Sequence, residues 1–291
     1  MSANPAASIH DRLLNRAKAS GEDFNLVLTR YAIERFLYRL SIGPAREVYW
    51  LKGGLLFNLW FDVPHRPTRD ADFLGFGPMD IKALAQTMGE ICTVEAGTED
   101  GMIFDPGSIT IEEIREEIGY GGVRVKLVGK LGNARCPMQL DIGYGDAVTP
   151  GPEEAVYPTL LDDQPAPRLR VYPRATMVAE KLEAIVSLGM ANSRMKDYFD
   201  LRALAHEGAL DGQQLGDAIA ATFRSRGTML PVNMPLGLTD EFALDATKQT
   251  QWKAFLNKNK LDAPPLGKVI EEVRNFLTGP LKLGRQRNSK P

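Results

Sequence analysis

Two glycines set between a short apolar run and a helical pattern, with two aspartates one residue apart soon after, constrain the fold of this chain more than any other feature. Residues 48–51 read as a short buried strand that Gly53 and Gly54 interrupt; Leu55, Leu56, Leu59 and Trp60 then fall at helical spacing. A Gly-Gly step between strand and helix lets backbone N–H groups approach an anion at the helix N-terminus, where the dipole favours negative charge. Asp70 and Asp72 follow, with Phe73 and Leu74 behind them. Side chains alternate along a strand, so both carboxylates point the same way. Paired carboxylates beside a phosphate cradle are the ingredients of a Mg²⁺-triphosphate site.

Composition narrows the alternatives. A chain of 291 residues holds one large domain or two modest ones. A net charge of −2 provides no global field for nucleic acid, so any RNA contact must come from a local patch. Cys92 and Cys136 are the only cysteines, which excludes a disulfide framework and fits a reducing compartment. His10, His65 and His206 are scattered and make no zinc spacing. No signal segment and no run of membrane-spanning length is visible, so a cytoplasmic location is expected.

Along the chain, residues 8–19 read as a helix with Ser8 as N-cap, ended by Gly21. Asp23 caps a second helix to about Leu40, and Pro78 starts a third over 79–91. From 103 to 144 the pattern becomes strands, with a turn at 119–122. The last strand, 138–144, carries Asp141 between Leu140 and Ile142, so its carboxylate faces away from their side chains. An acid amid an apolar strand is costly unless paired or metal-bound. Beside Asp70 and Asp72, Asp141 becomes the natural third carboxylate of a metal site of the kind in-line phosphoryl transfer uses.

Prolines crowd 148–173, which reads as an extended connection and boundary. Helices are expected beyond it at 175–188, 195–206, 213–224, 239–259 and 266–277. A basic tail from Lys282 with Arg285, Arg287 and Lys290 is expected to be disordered. Lys181 lies next to the buried face of the first of these helices, and Arg194 follows a short loop. Asp197 and Asp200 stand three apart on the next helix, the pattern also of surface charge pairing. A Lys and an Asp brought across a cleft could hold a triphosphate and position a nucleophile.

These blocks resemble the AbiEii/AbiGii-type nucleotidyltransferase toxins of abortive-infection toxin–antitoxin systems, within the polymerase-β-like nucleotidyltransferase superfamily. The resemblance runs from Trp50 to about Ala205. It rests on Leu51-Lys52-Gly53-Gly54, Arg69-Asp70-Ala71-Asp72-Phe73, Gln139-Leu140-Asp141-Ile142-Gly143, Ala179-Glu180-Lys181-Leu182-Glu183-Ala184 and Arg194-Met195-Lys196-Asp197-Tyr198-Phe199-Asp200-Leu201. It implies an α+β nucleotidyltransferase core over 1–150, the connection 151–173, a mostly helical domain over 174–281 and the tail 282–291, with the site between the two domains. It also implies that Gly53-Gly54 holds phosphate, that Asp70 and Asp72 bind Mg²⁺, and that Lys181 and either Asp197 or Asp200 are essential. The implied reaction moves a nucleotide from NTP to the 3′ acceptor end of tRNA, blocking translation, under restraint by a cognate antitoxin. Lys52 or Arg69 would offset triphosphate charge, with Arg194 as a further phosphate contact. One departure is Leu55, where many relatives carry a small or hydroxyl residue.

Two other readings compete. The same fold could transfer a nucleotidyl or phosphoryl group to a protein or small-molecule hydroxyl, or act as a nucleotide-binding regulator without turnover. Sequence-specific DNA binding is not expected, because no recognition-helix pattern is present.

Overall fold

Alternating apolar and polar residues over 121–144 build two adjacent strands of a seven-stranded sheet. A computed structural model describes residues 4–61, 65–115, 121–208 and 210–288. The chain divides into two units. The first comprises Met1–Gly145 with Glu153–Val171, and the second Asp146–Pro152 with Tyr172–Pro291.

In the first unit α1 (Pro5–Ser20) starts three residues before the expected Ser8. Asn4 caps it by accepting from the Ala7 amide, and Pro5 takes the first position, where its missing N–H costs nothing. α2 (Phe24–Ile42) is capped by Asp23 as expected and buries Tyr31, Ile33, Phe36, Leu37 and Leu40. β1 (Tyr49–Lys52) leads through a 3₁₀ turn, Gly53–Leu56, into the single-turn α3 (Phe57–Trp60). β2 (Asp70–Gly75) and α4 (Ile81–Thr93) follow. The cap of α4 is Asp80, whose carboxylate accepts from the Lys82 and Ala83 amides; Pro78 lies upstream of the helix.

β3 (Met102–Arg115), β4 (Gly121–Leu131) and β5 (Ala134–Tyr144) form an antiparallel meander, with a bulge in β3 between Asp105 and Thr110 where Pro106 and Gly107 sit. Of the turn expected at 119–122, Gly121 and Gly122 instead open β4, and 119–120 lie outside the described residues.

The proline-rich stretch is more than a connection. It carries β6 (Glu153–Val156) and β7 (Arg168–Val171), and the sheet order is β3-β4-β5-β2-β1-β7-β6. Both strands occupy proline-free windows, while Pro158, Pro165 and Pro167 fall in the loop joining them. β7 pairs parallel with β1, and β2 pairs parallel with β5.

The second unit is helical among its described residues: α5 (Arg174–Leu188), α6 (Met195–Glu207), α7 (Gly212–Ser225), α8 (Asp240–Leu244), α9 (Ala246–Asn259) and α10 (Leu266–Asn288). The single helix expected over 239–259 is two, because Asp245 turns extended and caps α9 through the Lys248 amide. The expected disordered tail is also corrected. α10 continues to Asn288, because Leu281 is buried and Gly284 lets the helix close on α7 at Gly216. A Cβ at Gly216 would stand 2.8 Å from that of Leu283. Arg287 then pairs with Asp217 at 2.7 Å; Lys290 lies outside the described residues.

Candidate active site

The site in the first unit follows from strand register. β2 lies between β1 and β5, and Asp72 faces Lys52 on one side and Asp141 on the other, while Asp70 faces Gln139. Alternation sends Ala71 and Phe73 into the core and leaves Asp70 and Asp72 together on the opposite face. Asp70, Asp72 and Asp141 are half-buried, and each offers one carboxylate oxygen within 4.8 Å of the others. Carboxylates at that spacing repel by about 3 kcal/mol per pair at an effective dielectric of ~20. Such an arrangement calls for positive charge, and three convergent carboxylate oxygens are the donor set a hard divalent cation prefers.

The helix expected after the glycines is shorter than their spacing implies. The expected helix is a 3₁₀ turn and one α turn, too short to aim a macrodipole at an anion. Gly53 has φ of 73°, and a Cβ there would fall inside the Asp72 carboxylate. A Cβ on Gly54 would stand 2.9 Å from the Thr68 hydroxyl and 3.0 Å from the Arg66 guanidinium. The bare backbone thus makes room for the carboxylate of β2 and for a basic and a hydroxyl group from the preceding loop. Leu55, the departure noted in sequence, is a core residue; the hydroxyl beside the loop comes from Thr68.

Asp141 is not solitary. Arg124 of β4, its cross-strand neighbour, donates from Nε to Oδ1 at 2.9 Å and from its terminal nitrogen to Oδ2 at 2.7 Å. Gln139 Nε2 adds a third bond to Oδ2 at 3.2 Å. The bonds to Asp141, together with its negative charge, hold the Arg124 guanidinium above its ordinary pKa against the opposing effect of burial. Across five strands the row reads Glu112, Arg124, Asp141, Asp72, Lys52. Lys52 is buried within this row, whereas Arg69 is exposed in the loop before β2.

The second unit holds the other sequence-derived residues in one cluster. Lys181 Nζ of α5 donates to Asp197 Oδ1 and Asp200 Oδ2, each at 2.8 Å, and Arg194 Nε donates to Asp197 Oδ2 at 2.7 Å. The three-residue spacing turns both aspartates toward α5, where their side chains are 0% exposed. These are therefore not surface charges. Burial pushes the Asp197 carboxyl up, but Lys181 and Arg194 outweigh it and hold the group below the usual range.

Residues 35–278 match the family of the nucleotidyl transferase AbiEii toxin, type IV toxin–antitoxin system. The chain belongs to that family. The matched span covers the glycine turn, all three carboxylates and the Lys181 cluster. AbiEii membership makes the protein a nucleotidyltransferase of toxin–antitoxin type, with NTP as substrate and an antitoxin as its counterpart. Two crystal structures are similar to this AbiEii-family chain. One is a candidate nucleotidyltransferase from H. pylori, 16% identical, with 90% of this chain and 96% of that chain covered and a TM-score of 0.48. The other is JHP933 from Helicobacter pylori, 14% identical, with 90% and 94% covered and a TM-score of 0.48. No curated protein matches the chain. Among the described residues no helix is long and apolar enough to cross a membrane.

Sequence reasoning assigned no role to Arg66 and Thr68, which stand beside Gly54, or to Arg124 and Gln139, which bond Asp141. Arg124 carried a signal, since it alternates with Val123 and Val125 and must face away from the core. Which acid it meets depends on the β4–β5 register, which no local pattern states.

Proposed function

We propose that the chain is a Mg²⁺-dependent nucleotidyltransferase toxin that moves NMP from NTP to RNA, at the 3′ acceptor end of tRNA, and is restrained by its antitoxin. The observation that carries the metal assignment is the convergence of Asp70, Asp72 and Asp141 from two parallel strands to within 4.8 Å. Those three residues would hold the cation, which when bound activates the attacking oxygen and neutralises charge on the leaving pyrophosphate. Gly53 and Gly54 bring backbone close to Asp72 and, with Lys52 and Arg69, form the phosphate side of the site. Within the second unit, Lys181 and Arg194 are the candidate phosphate contacts. Asp197 and Asp200 act there by holding the Lys181 ammonium in place, which makes both positioning groups.

An RNA acceptor needs local basic charge, and the second unit supplies it. That unit has 17 Lys and Arg against 14 Asp and Glu, whereas the first has 18 against 23. Helix α9 carries the exposed Lys253 and Lys258 and no acid, while Lys248 is buried and donates to the Asn192 carbonyl. The overall charge of −2 favours the second reading, transfer to a protein or small-molecule hydroxyl. Incubating the purified chain and Mg²⁺ with each labelled NTP, in parallel with total tRNA and with a tRNA-free protein fraction, separates the two. Label that migrates with tRNA and moves on 3′-end digestion is expected; label confined to protein would replace the RNA assignment.

A further inference from the structure

We propose that Arg124 is the resident counter-cation of the carboxylate triad, displaced from Asp141 when a divalent cation binds, and that it thereby sets the metal affinity of the site. The proposal rests on the metal-site reading above and adds a competitor to it. The Arg124 fork engages both oxygens of Asp141, at 2.9 and 2.7 Å, and Gln139 takes a further position on Oδ2. An oxygen of that same carboxylate also lies within 4.8 Å of oxygens from Asp70 and Asp72. Asp141 is thus claimed from two sides. A guanidinium and a divalent cation on one carboxylate repel each other, so occupancy by one weakens the other.

Two features let the guanidinium yield. Its side chain is 33% exposed, so release hydrates the charge and strands nothing in the core. Glu112 is its direct cross-strand neighbour on β3, which gives the released group an acidic side chain on the same face. Glu112 pairs with Lys126 at 2.8 Å, so the polar face already carries an ion pair between adjacent strands. In the absence of metal, Arg124 offsets repulsion among three acids that strand pairing forces together.

The opposite role predicts the opposite sign. If Arg124 only orients Asp141 as a ligand, removing it should weaken metal binding. The test is Mn²⁺ binding to the full chain without nucleotide, followed by the paramagnetic resonance of free Mn²⁺, with folding of each variant checked by circular dichroism. Arg124→Gln is expected to tighten Mn²⁺ about tenfold, equivalent to about 1.4 kcal/mol. Arg124→Lys, which keeps charge but loses the fork and covers the case in which Arg124→Gln fails to fold, should tighten it about threefold. Lys126→Gln removes the same charge from the same strand face and should change affinity less than threefold. The effect of Arg124→Gln should vanish in an Asp141→Asn background. Unchanged or weaker binding in folded Arg124→Gln or Arg124→Lys overturns the proposal and leaves the metal site standing. No Mn²⁺ binding by the parent chain, or binding indifferent to Asp72→Asn, overturns the metal site and this proposal together.

Discussion

Replacing Lys181 by methionine removes the one ammonium shared by two fully buried carboxylates. Its Nζ lies 2.8 Å from both Asp197 and Asp200, whose side chains are 0% exposed, and Arg194 remains on the far oxygen of Asp197. Breaking a buried pair by removing one partner costs about 3–5 kcal/mol, because the remaining charge stays desolvated. Retained Arg194 places this variant near the lower bound, about 3 kcal/mol. At about 3 °C per kcal/mol for a unit of this size, the melting temperature should fall by roughly 10 °C at pH 7.5.

The pH dependence gives a second, signed readout. In the parent chain Asp197 is held below its ordinary pKa, so its contribution is fully present above the unfolded value and lost as pH falls through the depressed one. Without Lys181, burial dominates and the carboxyl rises. The deficit of Lys181→Met should therefore be greatest at neutral pH and shrink toward pH 5. Thermal unfolding by circular dichroism across that range measures both. A fall of less than about 3 °C, or a deficit that ignores pH, would refute the buried-pair account. Loss of activity in Lys181→Met then has to be measured below its melting temperature before any part of it is assigned to phosphate binding.

Gly53→Ala should cost about 1–3 kcal/mol, from φ of 73° and from a Cβ that displaces the Asp72 carboxylate, and should lower transfer activity well beyond its effect on unfolding. Equal losses in Gly53→Ala and in the open position Gly77→Ala would remove that assignment. Burial pushes the Glu34 carboxyl up to about 7 against the pull of Arg35 and the Leu160 amide. Its contribution is fully present below the ordinary carboxyl value and lost as pH rises through about 7, so Glu34→Gln should flatten the stability profile between about pH 4.5 and 7 by roughly 1–3 kcal/mol. An unaltered profile in chemical denaturation would contradict it.

What could be read before the fold was local. Asp70 and Asp72 share a face because alternation has a period of two, and Asp141 stood out as an acid among apolar neighbours. The helices of the second unit followed from periodicity, though the extended backbone of Asp245 divides one and packing on α7 extends another. The rest depended on partners far away in sequence. The 17 residues from Arg124 to Asp141 become one cross-strand pair only through register. Strands β6 and β7 were hidden by surrounding prolines, and the burial of Asp197 and Asp200 was hidden by spacing that equally fits a solvated face. Gly53 was recognisable as special, but its close approach to the Asp72 carboxylate became visible only in the fold.

Incorporation of labelled nucleotide by Asp72→Asn, compared with the parent chain across a Mg²⁺ titration, addresses the carboxylate site most directly. The substitution keeps the shape of the side chain and removes its charge, so folding should survive while incorporation falls at least a hundredfold. Parent-like incorporation in folded Asp72→Asn, or in the parent chain after complete chelation of divalent cations, would contradict the account.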